Sequence, residues 1–200
     1  METDASTDGS AEPGIRIYWI PLGAGGSGFV RWNGRIYERF SALRERRSRC
    51  ALYHTALEVI VPDGRYTIET AWPSPDADTA SRGVAYEGPV FSRRLAAFRP
   101  FRYEVRCWLD GVIPDVAHAV GGPQRVSADP VAARRVLDFV PRVPHLVWGR
   151  HEAGAKEMWN SNSVVSWLLA ASGVDTDPIE PPPGGRAPGW LTGIAAAGTS

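Results

Sequence analysis

Lysine, cysteine, net charge and long apolar runs are all scarce in this chain of 200 residues, and each shortage excludes something. Only Lys156 is a lysine among 22 basic residues. The rest are arginines, a bias that spreads bidentate cations over the whole surface and by itself marks no site. The 22 cations meet 22 carboxylates, so no global field exists to hold nucleic acid or an anionic membrane, and such binding requires a local patch. Two cysteines, Cys50 and Cys107, are too few for a disulfide framework and stand at no metal-ligand spacing. They read as half-buried thiols. The longest mainly apolar stretch, Val164 to Val174, falls far short of the roughly 20 residues that cross a bilayer, so no transmembrane segment is expected. Residues 1–14 are acidic, small and rich in breakers, without a basic start or an apolar run. They predict a disordered tail rather than a signal peptide, and a cytoplasmic protein.

What is present suits one core. The chain is 44% hydrophobic and predicts a single globular domain over residues 15–200. Ile15 to Leu22 is aromatic and β-branched and stops at a glycine cluster, the pattern of a strand followed by a loop. That loop, GAGGSG, lacks a following Lys-Ser/Thr and the GxGxxG register, so it is not read as a phosphate cradle. From Gly34 to Arg49, Ile36, Tyr37, Phe40 and Leu43 recur at near-helical spacing and predict an amphipathic helix or a pair of helical turns. Leu52 to Val61 and Arg65 to Trp72 predict a hairpin around Pro62, Asp63 and Gly64. Two registers are open. Pairing Val61 with Arg65 puts His54, Tyr66, Ile68, Thr70 and Trp72 on one face, whereas a two-residue loop brings Glu69 to that face instead.

A long loop from Trp72 to Gly88 leads into a short strand near Val84 to Phe91, and Phe101 to Asp110 alternates with the period of a half-buried strand. Asp129 caps a helix that carries Pro130 in its first turn and breaks at Pro141. Residues 157–173 hold capping side chains at Asn160, Ser161 and Asn162, then an apolar run up to Gly173, which fits the position just past a helix end. With hardly any polar face, this helix is expected to be central and buried. The Pro/Gly-rich run Ile179 to Trp190 reads as a stiff connection packed through Trp190. The fold class is therefore α+β, an antiparallel sheet packed against a buried central helix.

Ser163 stands in the first turn of that helix, where free N–H groups and the positive end of the dipole favour negative charge on an oxygen. Such a place suits attack on an ester or amide carbonyl, with Asn162 at the helix cap assisting the oxyanion. A serine needs a base and the base an orienting group. His54 is the histidine inside a confident strand, and Glu69 or Thr70 on the partner strand is the candidate to orient it. No ligand spacing supports a metal, and no motif implies a cofactor.

His54 in YHTALEV, the partner strand YTIE and the Asn-Ser pair of NSNSVVSWLL together resemble the circularly permuted papain-like fold, the lecithin retinol acyltransferase-like branch of the NlpC-type superfamily. The chain is also similar to actinobacterial proteins with strings such as WNSNS and GGRAPGW. The resemblance implies a hydrolase or acyltransferase acting on a small-molecule or peptide acyl substrate. His54 would be the base, Ser163 would occupy the place of the family's cysteine nucleophile, and Glu69 or Thr70 would be the third residue. Serine at that place departs from the family, whose chemistry relies on a thiolate. The other reading is a catalytically inactive descendant acting as a binding module. Its surface would be the basic face from Arg31 to Arg49, facing an anionic partner, or exposed aromatic and proline residues near Trp190.

Overall fold

The computed structural model describes residues 12–24, 50–73, 83–113 and 115–199. The helix or helical turns expected between Gly34 and Arg49, their basic face, most of the GAGGSG loop and most of the N-terminal tail lie outside the described residues. Among the described residues, seven strands and three α-helices make a mixed α+β structure. β1 (Gly14–Pro21), β2 (Ala51–Val61), β3 (Gly64–Ala71), β4 (Val84–Pro89), β5 (Arg102–Leu109) and β6 (Gln124–Ser127) lie in the order β4-β5-β3-β2-β1-β6, each antiparallel to its neighbours. β7 (Gly185–Arg186) adds a two-residue parallel pairing to the start of β2. The helices are α1 (Pro130–Phe139), α2 (Ser161–Ala171) and α3 (Trp190–Ala197). No helix among the described residues is long and apolar enough to cross a membrane.

Strand alternation divides the sheet into two faces. From β2, Tyr53, Leu57, Val59 and Val61 join Ile17 and Trp19 of β1, Ile68 of β3, Tyr103 and Val105 of β5, Val136 of α1 and Leu168 of α2 in one core. His54, Ala56 and Glu58 project from the opposite face, where Ala56 packs with Tyr18, Ile20 and Ile113 in a second, smaller cluster. Both helices thus cover one face. Each fully buried aliphatic side chain there contributes about 1.5–3 kcal/mol relative to exposure.

The hairpin takes the two-residue loop: Val61 pairs with Gly64 across Pro62 and Asp63, and Ile68 faces Leu57. Asp63 is tied to α1 by an ion pair with Arg134. α1 starts as its sequence predicts, with Pro130 in the first turn and the Asp129 carboxylate accepting the Val131 N–H at 2.8 Å. α2 ends in a Schellman motif: Val174 N–H donates to Leu169 C=O and Gly173 N–H to Ala170 C=O, both at 3.0 Å. Gly173 holds φ +78°, the left-handed conformation expected of it. Arg135 of α1 donates to the Ser172 carbonyl at 3.1 Å, placing a cation at the negative end of α2.

The C-terminal run does more than connect. Trp190 is buried against Trp19, with ring centroids 5.5 Å apart, and opens α3, which crosses α2 closely. The Trp190 ring itself is therefore not part of an exposed binding surface, because it seals the core. At the crossing, a Cβ on Gly193 would overlap the Ser163 carbonyl oxygen and the Ser166 hydroxyl. Gly193→Ala is expected to destabilise the protein by about 1–3 kcal/mol through overpacking. A lower urea midpoint at unchanged slope checks this.

Candidate functional site

The start of α2 is a closed hydrogen-bonded joint. Asn160, not Asn162, is the N-cap, its Oδ1 accepting from the N–H groups of Asn162 and Ser163. Ser163 completes a capping box by accepting the Asn160 N–H at 3.1 Å. Its hydroxyl, with no exposed surface, donates to the Gly189 carbonyl at 2.7 Å. Asn162 lies inside the helix and bridges to the sheet. Its Oδ1 accepts from Thr55 Oγ1 at 3.0 Å, and Nδ2 donates to the carbonyls of Tyr53 and Pro188, both at 2.9 Å. Both amide hydrogens are used, so the side chain has none left for an oxyanion.

Gly189 closes the joint from the other side. Its φ is +86°, its N–H donates to Glu157 Oε2 at 2.7 Å, and a Cβ there would stand 2.6 Å from Asn160 Oδ1 and 2.7 Å from Ser163 Oγ. WNSNS and GGRAPGW are thus two halves of one contact. Ser163→Ala leaves the Asn160 N–H short of a partner inside the protein, while the Gly189 carbonyl loses the hydroxyl but keeps the N–H groups of Thr192 at 3.1 Å and Gly193 at 3.3 Å, so a loss of about 1–3 kcal/mol is expected, read by chemical denaturation.

The expected dyad is not assembled. Ile20 and His54 are partners across β1 and β2, and so are Trp19 and Thr55. Trp19 belongs to the helix-covered core, Ile20 to the opposite cluster. Thr55 therefore faces the start of α2, and His54 points away through the sheet. Glu69 shares the face of His54, as the two-residue hairpin loop requires, whereas Thr70 lies on the helix-covered face. The structure brings Glu69 to the side of His54 and separates both from Ser163.

Residues 110–113 and 115–120 lie across that second face. Asp110 N–H donates to Arg65 C=O, Thr67 Oγ1 to Gly111 C=O at 2.7 Å, and Val120 N–H to Trp19 C=O. Beneath them, burial lowers the His54 pKa from its usual 6.5, and the Asp115 carboxylate opposes the shift. Burial raises the Glu69 carboxyl above the usual range, against the ion pair with Arg106. Arg106 also pairs at 2.9 Å with Glu104, whose side chain has no exposed surface. The sign for His54 follows from linkage. The unfolded chain takes up the proton more readily, so the stability tied to neutral His54 is complete above pH 6.5 and falls as pH drops below it. His54→Gln is expected to remove that part of the slope in a pH series of denaturation midpoints.

Among the described residues a cleft opens at the β4 edge. Its volume is about 340 Å³, and Glu87, Gly88, Pro89, Arg93, Arg102 and His145 are among its lining residues. The His145 ring is stacked on Tyr86 at 4.3 Å with 9° between planes, which fixes one wall. Arg102 is held by Glu87 at 2.7 Å and by the Ala96 carbonyl at 2.6 Å. Arg93 has only one long bond, 3.4 Å to the His145 carbonyl, and makes no ion pair among the described residues. With Glu87 neutralised by Arg102, the arginine left over is Arg93, and its remaining donors suit an oxyanion.

No protein-family model, curated protein or solved structure matches the chain. Arg93 and Ala96 of the cleft lie between the two strands that the sequence predicts near Val84 to Phe91 and from Phe101 to Asp110. Residues 91–102 (FSRRLAAFRPFR) hold four arginines and no carboxylate, a local charge run that would have marked them. The cysteines offer no alternative nucleophile at the joint: burial pushes the Cys107 thiol up to about 11, and Cys50 is half-buried beside β2.

Proposed function

We propose that this chain is a non-catalytic binding module whose ligand carries an oxyanion, a phosphate foremost, and that the β4-edge cleft receives it. The observation that carries the reading is the contrast between two serviceable sets of groups. Every polar atom of Asn162 and Ser163 that a hydrolase would need is already engaged in the buried joint. Arg93 keeps donors available beside the stacked wall of His145 and Tyr86. The permuted papain-like resemblance enters as ancestry alone, with a capped serine at the nucleophile's place and Thr55 on the strand facing it.

Binding here rests on charge-assisted bonds to a planar guanidinium. Arg93→Ala is therefore expected to weaken inorganic phosphate binding about tenfold or more, the loss of one charged hydrogen-bond partner. Titration calorimetry with phosphate measures it, with sulfate as a second probe. Absence of saturable binding, or ester turnover by the unaltered protein that vanishes in folded Ser163→Ala, would return the hydrolase reading.

A further inference from the structure

The excursion between β4 and β5 does something a solvated loop does not: it shows large apolar side chains to water among arginines. Phe91 is 58% exposed, Phe98 64% and Trp72 49%, and they are carried by the segments that follow β4, precede β5 and follow β3, where these three neighbouring strands meet at one end of the sheet. Two of them share an anchor. Phe91 N–H donates to the Trp148 carbonyl at 2.9 Å, and the Trp72 ring lies 5.6 Å from the Trp148 ring. Leu95 adds a further apolar group on a short 3-10 turn. Around them Arg94 and Arg99 make no ion pair among the described residues, and Arg150 donates to the Phe91 carbonyl at 2.8 Å.

Phe91 is also held at φ +59°, a conformation that disfavours any residue with a Cβ and that glycine adopts freely. The backbone is pinned there from both sides, by Trp148 through the N–H and by Arg150 through the carbonyl. The ring lies with one edge over Gly149 and leaves most of its surface in water, so packing accounts for only part of what the strained backbone presents. Strain of this kind is informative where it is observed and the surroundings over-determine it.

We propose that residues 91–101, with Trp72, form a docking surface for an anionic lipid bilayer, the rings entering the headgroup boundary and Arg94 and Arg99 meeting the negative surface. Charge complementarity selects the occupant: an apolar patch ringed by unpaired arginines fits an apolar layer beneath anionic headgroups. A single-stranded nucleic acid is the lesser fit, because its bases need rings that line the basic groove. Phe91 and Phe98 are not among the residues lining the cleft. The proposal goes beyond phosphate binding in the cleft and stands on different side chains.

The test is flotation of the full chain with phosphatidylcholine vesicles, with and without phosphatidylglycerol. Partition is expected only where phosphatidylglycerol is present, falling with salt. Arg94→Gln and Arg99→Gln should each reduce it roughly fivefold, and Phe98→Ser about tenfold or more. Phe91→Gly should reduce partition similarly while leaving the Tm equal or higher, since it relieves the strained φ. Phosphate titration of the cleft should not change in these variants. Loss of phosphate binding in Arg93→Ala with vesicle partition intact would separate the two sites. Partition onto phosphatidylcholine alone, no partition at all, unchanged partition in Phe91→Gly and Phe98→Ser, or preferential binding of an oligonucleotide at equal salt would each overturn the docking surface. A fall in Tm for Phe91→Gly would assign the ring to packing and overturn it as well.

Discussion

A buried helix start imposes the constraint around which the rest of the structure is arranged. The first N–H groups of a helix have no partner within it, and at α2 the surrounding core leaves them little access to water. Asn160 accepts two of them, and Ser163 returns the favour to the Asn160 N–H. A buried hydroxyl must then place its own hydrogen, and the Gly189 carbonyl takes it. That bond fixes the chain just ahead of α3. Ser166 repeats the device one turn on, donating to the Trp190 carbonyl at 2.7 Å. Small residues at 189 and 193 are what allow the backbones this close. The serines of α2 are thus the polar seam of a helix pair, and the seam holds Trp190 against Trp19 as a lid on the core.

The same arrangement dictates the chemistry of the second face. With both helices on one side, the even-numbered residues of β2 must find cover elsewhere, and they meet carboxylates matched to arginines. Glu58 is shared by Arg16 at 2.8 Å and Arg65 at 3.2 Å, and Arg106 serves both Glu69 and Glu104. Buried pairs of this kind contribute little net stability, but removing one partner strands a charge in a low dielectric. Among the described residues, Arg16, Arg65 and Arg106 on this face are each paired. The arrangement also holds His54 and Glu69 on the side of the sheet away from Ser163, the first buried in its neutral form and the second paired with Arg106.

Elements with strong local signals were legible from the sequence: the strands from Ile15, Leu52, Arg65 and Phe101, the Asp129 cap, and Gly173 as the helix stop. Each is set by interactions within a few residues. The site was not, and the reason is parity. A strand reverses its face every residue, so whether His54 or Thr55 looks at α2 depends on how β2 docks on the helices, which no local pattern in YHTALEV encodes. The choice between Glu69 and Thr70 turned on one residue of hairpin loop, and the loop is Pro62-Asp63. Trp190 packs as its run suggested, but the partners were not legible: nothing local shows that the carbonyls at Pro188 and Gly189 accept from Asn162 and Ser163. Residues 91–102 escaped notice because they have neither helical nor strand period, although their charge run was plain.

The distribution of satisfied and unsatisfied groups points the same way from both ends of the molecule. At the α2 joint and on the second sheet face, donors and acceptors are matched almost one for one. At the β4 edge the matching stops: Arg93, Arg94 and Arg99 make no ion pair among the described residues, and Phe91 and Phe98 face water. An edge strand needs protection against pairing with other chains, and β4 has it in its short length and in the basic excursion that follows. Protection alone calls for charge, and the arginines supply it. It does not call for exposed phenylalanines, one of them at positive φ, since those raise the risk of association that the charges reduce. Rings and cations together are selected only where a partner offers both an apolar layer and negative charge, which is why recognition is assigned to this edge and not to the buried serine.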